Sequence, residues 1–262
     1  MEKERVDKAL SRCGFGSRKD VRKMLRGGLV SVGGKTVRDP GLLLGAADEV
    51  RVGGELVVRR RDVYIMLNKC RDVVCANSDP VRRTVFDLLD GPLRDRLHCM
   101  GRLDADTEGL LVLTTDGKLT HALMSPRRYA PKTYAVALRD AVDAAGRASC
   151  AEQFRRGFWI DRERGEPGFD CLPSELVWRG EEGGGVPPAL WEGCDCLLTV
   201  FEGKFHQVKR MFSQMGNAVV YLRRVRVGNL LLDGRLSPGE YRELTDGEVA
   251  ALSAPAVLGD GR

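Results

Sequence analysis

The stretch GRLDADTEGLLVLTTDG, residues 101–117, sets Arg102, Asp104, Asp106, Thr107 and Glu108 directly against an apolar run from Leu110 to Leu113. That run has the composition of a strand buried on both faces, and a carboxylate so close to it is costly to desolvate. Asp104 therefore needs a cationic or hydrogen-bonding partner, or it must line a cleft. Ordinary turn chemistry accounts for most strings of this type, because Asp and Thr cap turns. An acid and base pair made of Asp104 and Asp106 ranks last, since two carboxylates two residues apart on one extended turn point in different directions. The histidines are only three, His98, His121 and His206, and none has a Ser or Cys partner in a recognisable arrangement. His206 and Gln207 accordingly read as hydrogen-bonding support rather than acid–base machinery. Eight cysteines are scattered along the chain without a CxxC pair, which favours neither a zinc site nor a disulfide framework.

The elements that must hold these side chains are legible in outline. Across residues 63–262 short apolar runs recur, among them VYIML, GLLVLTT, KTYAVAL, CDCLLTVF and AVVYLRRVRVGNLLL. Segments of helical character lie between them near 82–90, 117–124, 147–157 and 204–215. Strands outnumber helices and are joined mostly by irregular connections, so the expected class is α+β, with a mixed, mostly antiparallel sheet and helices packed against it. The chain of 262 residues, 43% hydrophobic, is long enough for a real core. No run approaches a membrane span, and the charged opening MEKERVDKALSRCGFG is unlike a signal peptide, so the expected location is the cytoplasm.

Net charge is +5, and the first 60 residues, with 14 Lys and Arg against 8 Asp and Glu, carry all of the excess. A local basic excess in a compact module suits a polyanion partner, nucleic acid before membrane. There the pattern reads as two short helices and a hairpin. Ser17 is a plausible N-cap, with Asp20 three residues on. Val21, Met24 and Leu25 form an apolar stripe, while Arg18, Lys19, Arg22, Lys23 and Arg26 fall mostly on the other faces. A Gly27-Gly28 stop, the string LVSVGGKTV and a Pro40-Gly41 break follow. This order resembles the S4 RNA-binding domain over residues 3–58, with Arg5, Asp7, Leu10, Ser17, Arg18, Gly28, Val30, Val32 and Gly34 at its characteristic places. RRRD at 59–62 is the expected boundary, giving an S4-like domain over 1–60 and a second domain over 61–262.

GRLDADTEGLLVLTTDG in turn resembles the signature of the RsuA branch of the RNA pseudouridine synthases. YIMLNK (64–69), SPRRYAPKTYAV (125–136), EGKFHQVKRMF (202–212) and LSPGEYRELT (236–245) fall in that family's order. Five blocks in sequence make a specific match, where one alone is weak. Cys70 stands where the family generally has Pro, Cys99-Met100 where Pro-Val is commoner, and Asn229 in place of a glycine. The resemblance implies isomerisation of one uridine: the N1–C1′ bond breaks, the base turns and C5 joins C1′, with no redox change, no metal and no cofactor. It makes Asp104 the nucleophile or base, Lys209 its basic partner and Tyr134 the aromatic under the uracil, whose hydroxyl could help remove the C5 proton. Arg102 would fill the stack vacated by a flipped base. Arg210 reads as phosphate-contacting or solvated. The HQVKRMF form favours 16S rRNA of the small subunit, met as free RNA or within a ribosome-assembly intermediate. The alternatives are 23S rRNA or tRNA as substrate, or a non-catalytic rRNA-binding protein. Nothing in the residues demands a dimer, so a monomer is expected.

Overall fold

The computed structural model describes residues 3–45, 47–57, 62–90, 94–124, 130–163 and 165–255. Residues 59–61 of the expected boundary, and residues 125–129 at the start of SPRRYAPKTYAV, lie outside the described residues. The chain divides into two compact units, Met1–Asp62 and Val63–Arg262.

In the first unit the helices Val6–Arg12 and Arg18–Arg26 pack together, and Ser17 and Asp20 form the reciprocal cap that their spacing predicts. Val6, Ala9, Leu10, Val21 and Leu25 are buried with Val30, Leu44 and Val50. The strands Lys35–Thr36, Val30–Val32, Val50–Val52 and Glu55–Leu56 make a four-stranded antiparallel sheet. Such short strands bury little apolar area, and ionic contacts supplement them. Asp7, fully buried on the first helix, accepts hydrogen bonds from Arg18 at 2.8 Å and from Arg22 at 3.2 Å. Burial on its own would raise the Asp7 pKa, but the Arg18 and Arg22 contacts hold it below the usual carboxylate range.

The second unit is built on one nine-stranded sheet. Its main path runs Glu175–Trp178, Cys196–Val200, Lys132–Leu138, Val219–Val227, Glu108–Thr114, Tyr64–Lys69 and Tyr241–Glu243. Within that sheet every pairing among the described residues is antiparallel except one. Val219–Val227 and Glu108–Thr114 run parallel and meet through only two residue pairs, Arg223 with Glu108 and Arg224 with Gly109. Gly109 makes that approach possible: its φ is +101°, and a Cβ there would lie 2.2 Å from the Arg224 carbonyl oxygen. The run Leu110–Leu113 is buried as its composition predicts, with Leu111 and Leu113 in one core layer and Leu110 and Val112 in the other. Two-face burial explains the absence of polar alternation in that strand.

The helices Gly117–Met124, Ala144–Arg156 and Gln207–Gln214 fall where helical character was read. The segment near 82–90 does not become an α-helix. It contains a single 3-10 turn, Val85–Leu88, closed by a Thr84–Asp87 reciprocal cap. A further helix, Asp246–Ser253, begins at a Thr245–Glu248 capping box. No helix among the described residues is long and apolar enough to cross a membrane.

Candidate active site

A cavity of about 710 Å³ opens in the second unit. Its lining draws on the 101–107 turn, the strand Lys132–Leu138, the segment 200–209 and the long strand carrying Leu222 and Arg224. Arg102 and Asp104 of one turn, and Tyr134 and Lys209 from distant parts of the sequence, all line it.

Asp104 stands four residues before the buried strand Glu108–Thr114, with its carboxylate about one-third exposed to the cavity. Lys209, on the first turn of the helix Gln207–Gln214, reaches back with Nζ 3.1 Å from Asp104 Oδ2. The same ammonium donates to Asp106 Oδ1 at 2.6 Å. The two carboxylates therefore do not diverge as extended-chain geometry suggests. The chain turns at Ala105–Asp106, with Thr107 N–H donating to the Asp104 carbonyl at 3.1 Å, and both acids meet one cation. For Asp106, burial would raise the pKa, but the hydrogen bond and charge of Lys209 bring it below its ordinary value.

Tyr134 lies on the strand Lys132–Leu138, nearly buried, with its side chain in the cavity wall. Arg102 is exposed at the rim. Arg210 departs from expectation. It is only 5% exposed, its Nη2 donates at 2.8 Å to both the Asp161 and Pro167 carbonyls, and its guanidinium lies 4.7 Å from the Phe169 ring centroid. Arg210 fastens the hairpin Phe158–Ile160/Phe169–Cys171 to the helix and faces no solvent that a phosphate could occupy. Its neighbour in KRMF points the other way because successive helical positions are about 100° apart.

Among the basic residues of the first unit, Arg18 and Arg22 are one helical turn apart and commit their guanidinium groups to Asp7. Both side chains stay about half exposed, and with Lys19, Lys23 and Arg26 they make one continuous, solvent-facing basic arc along the helix.

Several residues that the sequence reading passed over fix the Asp104 turn from beneath. Lys69, at the end of the strand Tyr64–Lys69, is fully buried and donates to the carbonyls of Cys70 at 3.0 Å, Ala105 at 3.2 Å and Thr107 at 2.9 Å. Burial pushes its pKa down, and nearby Cys75, Cys70, Asp106 and Asp104 counter part of that. Arg224, also buried, donates from Nε to the Leu110 carbonyl at 2.8 Å and from Nη1 to that of Arg102 at 3.4 Å. Cys75 Sγ accepts the Leu103 N–H at 3.4 Å. Lys132 is a third missed cation. It lines the cavity, and burial, aided by the charge of Arg224, lowers its pKa to about 8. The available signal was weak: a cation at either end of a fully apolar strand, as in YIMLNK and KTYAVAL. Gln207 serves as support, donating to Glu202 Oε1 at 3.0 Å and accepting the Lys204 N–H at 3.0 Å. No cluster of His, Cys, Asp and Glu suited to a metal occurs among the described residues.

The chain is similar to known proteins over nearly its whole length. Residues 63–214 match the family model for RNA pseudouridylate synthase, and residues 4–50 match the S4 domain. An uncharacterized RNA pseudouridine synthase of Bacillus subtilis is 38% identical, covering 96% of this chain and 99% of that protein. The ribosomal small subunit pseudouridine synthase A of Escherichia coli K12 is also 38% identical, covering 95% and 99%. A crystal structure of a pseudouridylate synthase, 35% identical, superposes with a TM-score of 0.61 over 95% of this chain and 99% of that one. With an S4 domain ahead of a mixed-sheet unit whose Asp104 turn lines a cavity, the chain belongs to the RNA pseudouridylate synthase family.

Proposed function

We propose that the protein isomerises a specific uridine of small-subunit (16S) rRNA, with Asp104, Lys209 and Tyr134 as the working groups. The supporting observation is that Lys209 engages one oxygen of the Asp104 carboxylate in a cavity walled by Tyr134. Asp104 starts cleavage of the N1–C1′ bond, as nucleophile at C1′ or as base toward the sugar, and Lys209 fixes its orientation. Tyr134 stacks on the extruded uracil while it turns. When C5 bonds to C1′, the C5 hydrogen must leave as a proton, and the Tyr134 hydroxyl assists its removal.

The uridine reaches Asp104 only after leaving its stack, and Arg102, long, planar and exposed at the rim, fills the gap. The S4 domain supplies phosphate contacts through Arg18, Lys19, Arg22, Lys23 and Arg26, which give grip without sequence choice. The small-subunit assignment rests on the HQVKRMF form and on the name of the Escherichia coli relative. We place this work in the cytoplasm, on free 16S rRNA or an assembly intermediate, by a monomer. The assignment of Asp104 is checked by tritium release from 16S rRNA carrying [5-³H]uridine, since each pseudouridine liberates one C5 hydrogen. Asp104→Asn is expected to lower release by at least about 10³-fold with RNA affinity within about twofold of wild type. Substantial release by the variant would remove Asp104 from the chemistry.

A further inference from the structure

The block EGKFHQVKRMF contributes Lys209 and Gln207 to the site, yet its most exposed aromatic has no part in what has been described. Phe205 is 54% exposed. A solitary surface phenylalanine needs no explanation, but this one is tied to the cavity. Its ring lies on that of His206 with centroids 3.8 Å apart and planes 19° from parallel. His206 itself lines the cavity, with Nε2 3.6 Å from Asp104 Oδ2. His206 also holds φ at +50°, in the left-handed region that few residues other than glycine enter. That backbone geometry sets two consecutive rings side by side at the cavity. One face of Phe205 is covered by His206, and the residue is otherwise largely open to solvent. Lys204, exposed beside it, supplies positive charge for a phosphate backbone.

A uridine that enters this cavity leaves its neighbours in the RNA at the rim, unstacked on one side. An open aromatic ring extending from the site is the surface that such a base would take up, since every base presents a π-face and stacking tolerates sequence. We propose that the Phe205–His206 pair is a stacking platform for the unpaired nucleobase adjoining the target uridine. This rests on the reading of the cavity as the uridine site. Phe205 contributes binding and register to the flanking nucleotide, distinct from the Tyr134 contact to the reacting base.

The test uses the full-length protein and a 16S rRNA fragment in which the wild type forms pseudouridine, together with versions carrying an abasic nucleotide on the 5′ or 3′ side of the target. Phe205→Ala is expected to raise KM about tenfold, with the loss falling on KM rather than kcat, and Phe205→Trp to restore it. One abasic position should cost the wild type the same factor and cost Phe205→Ala nothing further, the non-additivity expected of two partners in one contact. An unchanged KM in Phe205→Ala, or equal abasic losses in both proteins at both positions, would overturn the platform. Failure of wild type to form pseudouridine in any 16S fragment would overturn the substrate reading, and the platform with it.

Discussion

At the scale of single residues, Lys132 joins structure to a measurable pH dependence. Its ammonium lies in the cavity wall with a pKa lowered to about 8 from the ordinary 10.5, chiefly by burial. It is charged below pH 8 and neutral above, so attraction for the RNA backbone weakens as pH rises through that value. KM for rRNA is expected to stay level up to about pH 7 and climb severalfold by about pH 9. Lys132→Arg, which keeps its charge throughout, should flatten the profile, and the same inflexion in that variant would exclude Lys132 as its origin. The effect on stability has the opposite sign. The unfolded chain binds the extra proton between pH 8 and 10.5, so this residue makes the fold more stable as pH rises across that window. Legibility at this scale was uneven. Asp104, Tyr134 and Lys209 could be named because family blocks carry them, and the structure places all three at one cavity. Lys69, Lys132 and Arg224 could not be, because a cation at a strand end or in an alternating strand reads as surface until the sheet is seen to bury it. Arg210 was misread for the converse reason: a charged residue on an amphipathic helix reads as solvated until a hairpin covers it.

At the scale of elements, the two-residue parallel pairing between Glu108–Thr114 and Val219–Val227 determines where the site can be. The Asp104 turn lies just ahead of that pairing, and Arg224 ties the turn's carbonyls to the neighbouring strand. Gly109 is the position that permits it. Gly109→Ala adds a Cβ against the Arg224 backbone at a positive φ, a cost of about 2–4 kcal/mol. Thermal unfolding of the variant should shift down by about 5–15 °C. A midpoint unchanged within a degree would show that the strands can move apart cheaply. The strands and three of the helices of this unit were legible from apolar periodicity. The Val85–Leu88 turn was read as longer because its Val, Phe and Leu lie at helical spacing, although a 3-10 turn of four residues buries Val85 and Phe86 equally well. The lone parallel pairing was not legible, since register between strands more than 100 residues apart leaves no local trace.

At the scale of the whole molecule, the chain divides into two units, the first matching the S4 domain and the second the synthase family. Arg18, Lys19, Arg22, Lys23 and Arg26 share one open helix arc in the first unit, and because Arg18 and Arg22 also serve the buried Asp7, Lys19, Lys23 and Arg26 are the three that can be replaced without disturbing that carboxylate. Replacing those three by Gln should weaken rRNA binding and reduce the slope of log K against log salt by about 2, roughly 0.7 per lost phosphate contact. Replacing three exposed charges on the second unit, namely Arg139, Arg155 and Arg156, should leave the slope nearer its original value; equal slopes in the two triple variants would deny the first unit its special role. The two-domain organisation was legible because charge and composition change near residue 60, and the substrate was not, because RNA shape leaves no signature in one protein sequence. The measurement that bears most directly on the central claim is pseudouridine mapping of 16S and 23S rRNA after incubation with wild type and with Asp104→Ala. One new site in 16S rRNA, present with wild type and absent with the variant, is the expected result. A site confined to 23S rRNA, or one that Asp104→Ala also produces, would contradict it.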